Sequence, residues 1–195
     1  IVVAARNEED VIAAAAETLV KQDYPDIEII FVDDRSADRT GEILSDMASV
    51  HKEVSLITVN ELPASWLGKV HALHLGTARA TGEWVLFTDA DIHLAPDTLS
   101  KAVSYLEYTQ NDHLVLVPGV KKGTFALAVL MRAFVLAFLQ GTGAAKIAEP
   151  DADAAIGIKG EGIVVFPHGD FDIDQAKSQG SHHSQNSLAN LAATP

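Results

Sequence analysis

Hydrophobic and polar positions along the first 118 residues follow two periods in turn. Ile1–Ala4 is a short apolar run, and Ile27–Val32 is a largely β-branched one broken only by Glu28, as expected of a strand buried on both faces. Val54–Val59, Trp84–Thr88 and His113–Val117 read as three further strands. Between them the spacing changes to that of helices. Ile12, Ala16, Leu19 and Val20 share one face; Ile43, Leu44, Met47 and Ala48 mark a second helix, and a third runs from about Lys69 to Ala80. Pro96 opens a fourth, with Leu99, Ala102, Val103 and Leu106 on one side. Asn7 is predicted to cap the first helix, with Glu8, Glu9 and Asp10 in its first turn against the positive end of the dipole. Strand and helix alternating in this way predict an α/β fold with a mainly parallel sheet flanked by helices.

The pattern then changes. Residues 124–139 are nearly all apolar, with Arg132 in the middle. A membrane span needs about 20 apolar residues, so a buried or interfacial helix is expected, with peripheral membrane contact as its functional reading. From Asp151 onward glycine is frequent, and the last twenty or so residues, including Ser-His-His-Ser-Gln-Asn-Ser, show no periodicity and look disordered. The expected division is a folded domain over residues 1–157 and a divergent, disordered tail over 158–195.

Composition narrows the partners. The chain of 195 residues carries a formal net charge of -13, which disfavours nucleic acid, because phosphate backbones reward Lys and Arg. A small phosphorylated ligand remains compatible, since a metal can bridge it to carboxylates. With no cysteine there is neither a disulfide framework nor thiolate chemistry.

The polar clusters fall where an open α/β sheet binds ligands, beyond the C-terminal ends of its strands. Ala4-Ala5-Arg6-Asn7-Glu8-Glu9 follows the first strand, Asp33-Asp34-Arg35-Ser36 the second, and Asp89-Ala90-Asp91 the fourth, while Trp66-Leu67-Gly68-Lys69 starts the third helix. Two carboxylates one residue apart can share Mg²⁺ or Mn²⁺ and leave coordination positions for phosphate oxygens. An Asp-rich turn is the structural alternative; the position after Trp-Val-Leu-Phe-Thr favours the metal reading for Asp89 and Asp91. Asp34 is read as ligand-facing, able to accept from a base N–H or a ribose hydroxyl, and Ser36 and Asp38 as structural. Lys69, after a glycine at a helix start, suits a diphosphate. Trp66 could stack on a ligand or simply pack, and His71, His74 and His93 are left outside the site.

These segments, in this order and spacing, resemble the signature of family 2 glycosyltransferases. The resemblance rests on Val-Val-Ala-Ala-Arg-Asn-Glu-Glu, Gln22-Asp23-Tyr24-Pro25, Ile-Ile-Phe-Val-Asp-Asp-Arg-Ser-x-Asp-x-Thr, Trp-Leu-Gly-Lys-x-x-Ala-Leu, Gly82-Glu83-Trp84 and Phe-Thr-Asp-Ala-Asp. It covers residues 1 to about 118, more faintly to about 157, and is nearest in form to bacterial membrane-associated and hopanoid-associated members. The resemblance implies a GT-A, Rossmann-like fold. It implies a nucleoside-diphosphate-sugar donor, UDP-linked in many members, a divalent metal, and inverting transfer to an acceptor hydroxyl of a lipid or glycan at the inner face of the cell membrane. Carried over by position, Ala5, Asn7, Glu8, Asp34, Lys69 and Asp89 bind the nucleotide sugar, and Asp89 and Asp91 hold the metal. Ala4 departs from the family, which usually has proline there.

An inverting transferase also needs a general base, in the family an acidic residue of the second half of the domain. That pattern is lost after Ile156-Gly157, so the catalytic base is unassigned and the chain is expected to be C-terminally incomplete or to change reading frame near residue 158. Asp170, Asp172 and Asp174 read as a solvated acidic stretch. The alternative to an active enzyme is an inactive nucleotide-sugar-binding remnant. Other classes fit less well. A haloacid-dehalogenase-type phosphatase carries Asp-x-Asp on its first strand, a dinucleotide oxidoreductase needs Gly-x-Gly-x-x-Gly in its first turn, and a nucleotidyltransferase needs a glycine-rich first loop.

Overall fold

The computed structural model describes residues 1–111 and 113–116 with their side chains, and the backbone of 163–167. In chain order the elements are β1 (Val2–Ala5), α1 (Ile12–Val20), β2 (Ile29–Asp34), α2 (Thr40–Val50), β3 (Val54–Val59), α3 (Gly68–Arg79), β4 (Trp84–Asp89), α4 (Thr98–Thr109), β5 (Leu114–Leu116) and β6 (Ile163–Pro167). The sheet order is β3-β2-β1-β4-β6-β5. β1 pairs in parallel with β2 and β4, and β2 with β3. β6 runs antiparallel between β4 and β5.

The continuous apolar run of β2 is explained by its place in the sheet: all six of its residues are buried. Successive side chains point to opposite faces, so the strand feeds two cores. Ile29 and Phe31, with Val3 and Ala5 of β1, pack on one face against Ile12, Ala16 and Leu19 of α1, Leu44 of α2, and Leu99, Ala102 and Leu106 of α4. Ile30 and Val32, with Val2 and Val85, face α3 through Ala72. α3 lies very close to the sheet because Gly76 has no side chain; a Cβ there would sit 2.3 Å from Val2 Cγ1.

Two expectations change. The first concerns Asn7, which does not cap the first helix. Helix α1 begins only at Ile12, and its N-cap Val11 makes no side-chain cap bond. Asn7 sits in the left-handed region at φ 56° and its amide is used elsewhere, as described below. The second concerns Ile163–Pro167, which sequence analysis leaves in the divergent tail and which forms β6, inserted into the sheet. Gly160 and Gly162 before the run and Pro167 and Gly169 at its end are turn signals that bound a short strand, and it is drawn in by the unpaired edges of β4 and β5, whose backbone groups need partners. The helix expected over 124–139 and the acidic residues 170–174 lie outside the described residues. Among the described residues, no helix is long and apolar enough to cross a membrane.

The loop after β4 is tied to α1 by one amide. Gln22, only 8% exposed, donates to Thr18 O (3.0 Å) and Ala95 O (2.8 Å) and accepts from Leu99 N (3.2 Å). Thr18 Oγ1 accepts from Leu94 N at 3.0 Å, and Asp23 N donates to Pro96 O at 2.9 Å. These bonds fix the turn that carries Asp89 and Asp91. Gln22→Leu keeps the volume but strands the Ala95 carbonyl and the Leu99 N–H; at about 1–3 kcal/mol for each buried unsatisfied group, urea unfolding should show a loss of roughly 2–4 kcal/mol.

Candidate active site

Three strand ends and one helix start meet in a single cavity of roughly 370 Å³, lined by Ala4, Ala5, Arg6, Glu8, Asp34, Gly68, Lys69, Asp89, Ala90 and Asp91. That volume suits a small-molecule ligand. The strand order reverses at this point, with β2 on one side of β1 and β4 on the other, which is where open α/β sheets form their binding crevice. Of the residues expected from sequence, Ala5, Glu8, Asp34, Lys69, Asp89 and Asp91 all line the cavity. Asn7 does not. The alanine where proline is usual leaves the strand intact: Ala4 stays in register opposite Asp89.

Asn7 acts instead within a latch between the loops after β1 and β2. Its N–H donates to Ser36 Oγ (3.1 Å) and its Oδ1 accepts from Ala37 N (2.8 Å). Glu8 N donates to Thr40 Oγ1 (2.8 Å), Glu9 N to Asp38 Oδ2 (3.1 Å), and Arg39 N to Glu9 Oε2 (3.0 Å). Desolvation would push the Asp38 carboxyl up, but the Thr40 hydroxyl, Thr40 N–H and Glu9 N–H outweigh it and hold it below its ordinary value. Ser36 and Asp38 are therefore structural, as read from sequence.

Strand alternation gives the paired aspartates separate tasks. Asp33 points toward α2, accepts from Ser36 N at 3.1 Å and lies 2.6 Å from where a Gly41 Cβ would stand. Asp34 points to the α3 side and into the cavity. Both of its oxygens are held by its neighbour: Arg35 Nε donates to Oδ1 (2.8 Å) and Nη2 to Oδ2 (3.1 Å). Those bonds raise the Arg35 guanidinium above even its ordinary value. On the opposite wall, Lys69 Nζ donates to Asp89 Oδ1, while Asp89 Oδ2 is buried with no hydrogen-bond partner. Trp66 packs rather than lining the cavity, stacked on His74 and edge-on to His71, both with ring centroids 5.1 Å away.

Among the described residues, no three His, Asp or Glu side chains form a ready-made metal cage. The donor set nevertheless fits a hard divalent cation. Asp89 offers an orphaned buried oxygen and Asp91 lines the same cavity, so the two would hold the ion and leave positions for phosphate oxygens and water. Arg6 and Gly68 were missed from sequence. Arg6 lay between residues that were singled out, and it lines the same cavity as Lys69. Gly68 is required because a Cβ would stand 2.3 Å from Asp34 Oδ2.

Glu8 has its pKa raised from 4.5 by desolvation first, then by Asp91, Asp38 and Asp89. The native state thus keeps this proton to higher pH than the unfolded chain, so stability falls as pH rises from 4.5 through the raised value. Melting temperatures of the wild type and Glu8→Gln across pH 4–8 should converge at the acid end and separate above it, with Glu8→Gln the more stable. Parallel profiles would remove Glu8 from this role.

A mainly parallel, helix-flanked sheet with a polar cavity at the strand-order reversal is a Rossmann-like α/β arrangement, and its likeness to the glycosyltransferase TarS makes the fold GT-A. The chain belongs to Glycosyl transferase family 2, whose family profile matches residues 1–158. It is 31% identical over 114 residues to an uncharacterized glycosyltransferase of Haemophilus influenzae (58% of this chain, 33% of that protein). It is 34% identical over 105 residues to the beta-monoglucosyldiacylglycerol synthase of Trichormus variabilis (53% and 22%). Over 103 residues it is 31% identical to the 4,4'-diaponeurosporenoate glycosyltransferase of Staphylococcus haemolyticus (53% and 26%). The chain therefore spans about a third or less of these relatives' length. Among solved structures it is similar to residues 1–349 of Staphylococcus aureus TarS in complex with UDP-GlcNAc, with TM-score 0.53 and 28% identity, covering 63% of this chain and 35% of that one.

Proposed function

We propose that the cavity is the donor site of an enzyme that transfers a sugar from a UDP-linked donor, with inversion, to an acceptor hydroxyl. The observation that carries this reading is the meeting of Arg6, Lys69, Glu8, Asp34, Asp89 and Asp91, from four separate segments, around one cavity. Asp34 is the candidate contact for the base or ribose, and Arg6 and Lys69 for the diphosphate. Asp89 and Asp91 are the candidate ligands of Mg²⁺ or Mn²⁺, which when bound neutralises charge on the departing diphosphate. In the reaction the acceptor oxygen bonds to the anomeric carbon as the bond to the diphosphate breaks; one displacement gives inversion. The acceptor proton goes to a general base that is assigned to none of the described residues. TarS structures in complex with UDP and UDP-GlcNAc support a uridine donor.

A lipid acceptor at the inner face of the cell membrane completes the proposal. It is supported by relatives named for a diacylglycerol product and for a diaponeurosporenoate, and by the apolar composition of residues 124–139.

Calorimetric titration with UDP and Mn²⁺ tests the donor site. Binding should require the metal, and Asp89→Ala combined with Asp91→Ala should abolish it, a loss of at least about 100-fold. Equal, metal-independent binding by both proteins would refute the assignment. Turnover by a longer version of the protein would then separate an active enzyme from a binding-only remnant.

A further inference from the structure

The loop after β2 contains a side-chain pair that the donor-site reading leaves unused. Consecutive residues on a strand point to opposite faces, so Arg35 could not reach Asp34 if β2 simply continued. Arg35 reaches it because its backbone turns into the left-handed region, at φ 59°, a conformation disfavoured for a non-glycine residue. The turn folds the guanidinium back onto its own predecessor and closes a two-pronged bond to both carboxylate oxygens, at 2.8 and 3.1 Å.

α3 closes on the pair from the far side. A Cβ at Gly68 would lie 2.3 Å from Asp34 Oδ2 and 2.9 Å from Arg35 Nη2. Asp34 lines the cavity and Arg35 does not, so the guanidinium holds the carboxylate from outside the cavity, with Arg35 the more exposed of the two side chains (26% against 5%). A guanidinium fork fixes a carboxylate in plane and leaves one lone pair on each oxygen for another donor. Its charge matters too. Glu8, Asp34, Asp89 and Asp91 share the cavity with only Arg6 and Lys69, and a diphosphate would add to that negative charge.

We propose that Arg35 is the positioning residue of the nucleoside subsite: it holds Asp34 in one orientation and cancels its charge, so that a base N–H or ribose hydroxyl of a nucleoside diphosphate can be bound beside the anionic group. The inference rests on the donor-site reading, and it makes Arg35 a determinant of nucleoside binding and not of diphosphate binding.

The test compares UDP with inorganic pyrophosphate, each with Mn²⁺, by calorimetry on the wild type, Arg35→Gly and Arg35→Lys. Glycine suits the left-handed backbone, so the loop is kept while the fork is lost. Lysine restores the charge but not the planar two-pronged geometry. Arg35→Gly should bind UDP about tenfold more weakly, Arg35→Lys should fall between it and the wild type, and pyrophosphate affinity should stay within about twofold in all three. Equal or tighter UDP binding by Arg35→Gly, or a loss shared equally by UDP and pyrophosphate, would overturn the proposal. A wild type that binds pyrophosphate but not UDP would overturn the donor-site reading itself, and this inference with it.

Discussion

β1 pairs in parallel with β2 on one side and with β4 on the other, and that double pairing controls everything at the cavity. From β1 the chain moves outward to β2 and β3, and must then return past β1 to form β4. The returning helix α3 packs on the face opposite α1 and α2. The loops leaving β1 and β4, which lead to α1 and α4 on one face, therefore meet the start of α3 from the other face at the C-terminal end of the sheet, around the cavity. Its acidic wall ends β4, its basic Arg6 follows β1, and α3 starts on its rim with Lys69. These residues are far apart in sequence and meet because parallel strands share one C-terminal edge.

The cavity's floor is rigid for reasons that lie outside it. The loops after β1 and β2 are latched by backbone and side-chain bonds through Asn7, Glu8, Glu9 and Arg39. The loop after β4 is held by the Gln22 amide and Thr18 hydroxyl of the α1 end. Such supports let like-charged groups be kept close. The Glu8 pKa, raised first by desolvation and then by Asp91, Asp38 and Asp89, records that cost. Catalytic and binding groups held by a well-bonded surround are the usual way a site keeps unfavourable charge in place.

Most of this was legible in the sequence because burial writes periodicity into it. The apolar residues Ile29–Val32 of β2 marked a strand buried on both faces, and five of the six strands lie within two residues of where the pattern put them. The clustering of Asp34, Lys69, Asp89 and Asp91 was also readable, since strand ends follow from strands. Asn7 was misjudged as a helix cap because its partners, Ser36 and Ala37, come from another loop; residue type signals a free backbone group nearby but not which one. The Arg35 fork depends on a left-handed backbone that no local pattern shows for arginine. β6 was missed although Gly160, Gly162 and Gly169 bracket its apolar run, because so short a run is ambiguous by periodicity alone and its place is decided by distant strand edges.

The claim that a metal-bound nucleotide sits where these strand ends meet is tested most directly by nuclear magnetic resonance on ¹⁵N-labelled protein with UDP and substoichiometric Mn²⁺. The paramagnetic ion broadens amide signals near it. The account predicts broadening of Ala5 to Glu8, Gly68, Lys69, Ala90 and Asp91, dependent on UDP, with the exposed α4 residues Tyr105 and Tyr108 unaffected. Broadening centred on any other part of the domain would contradict it.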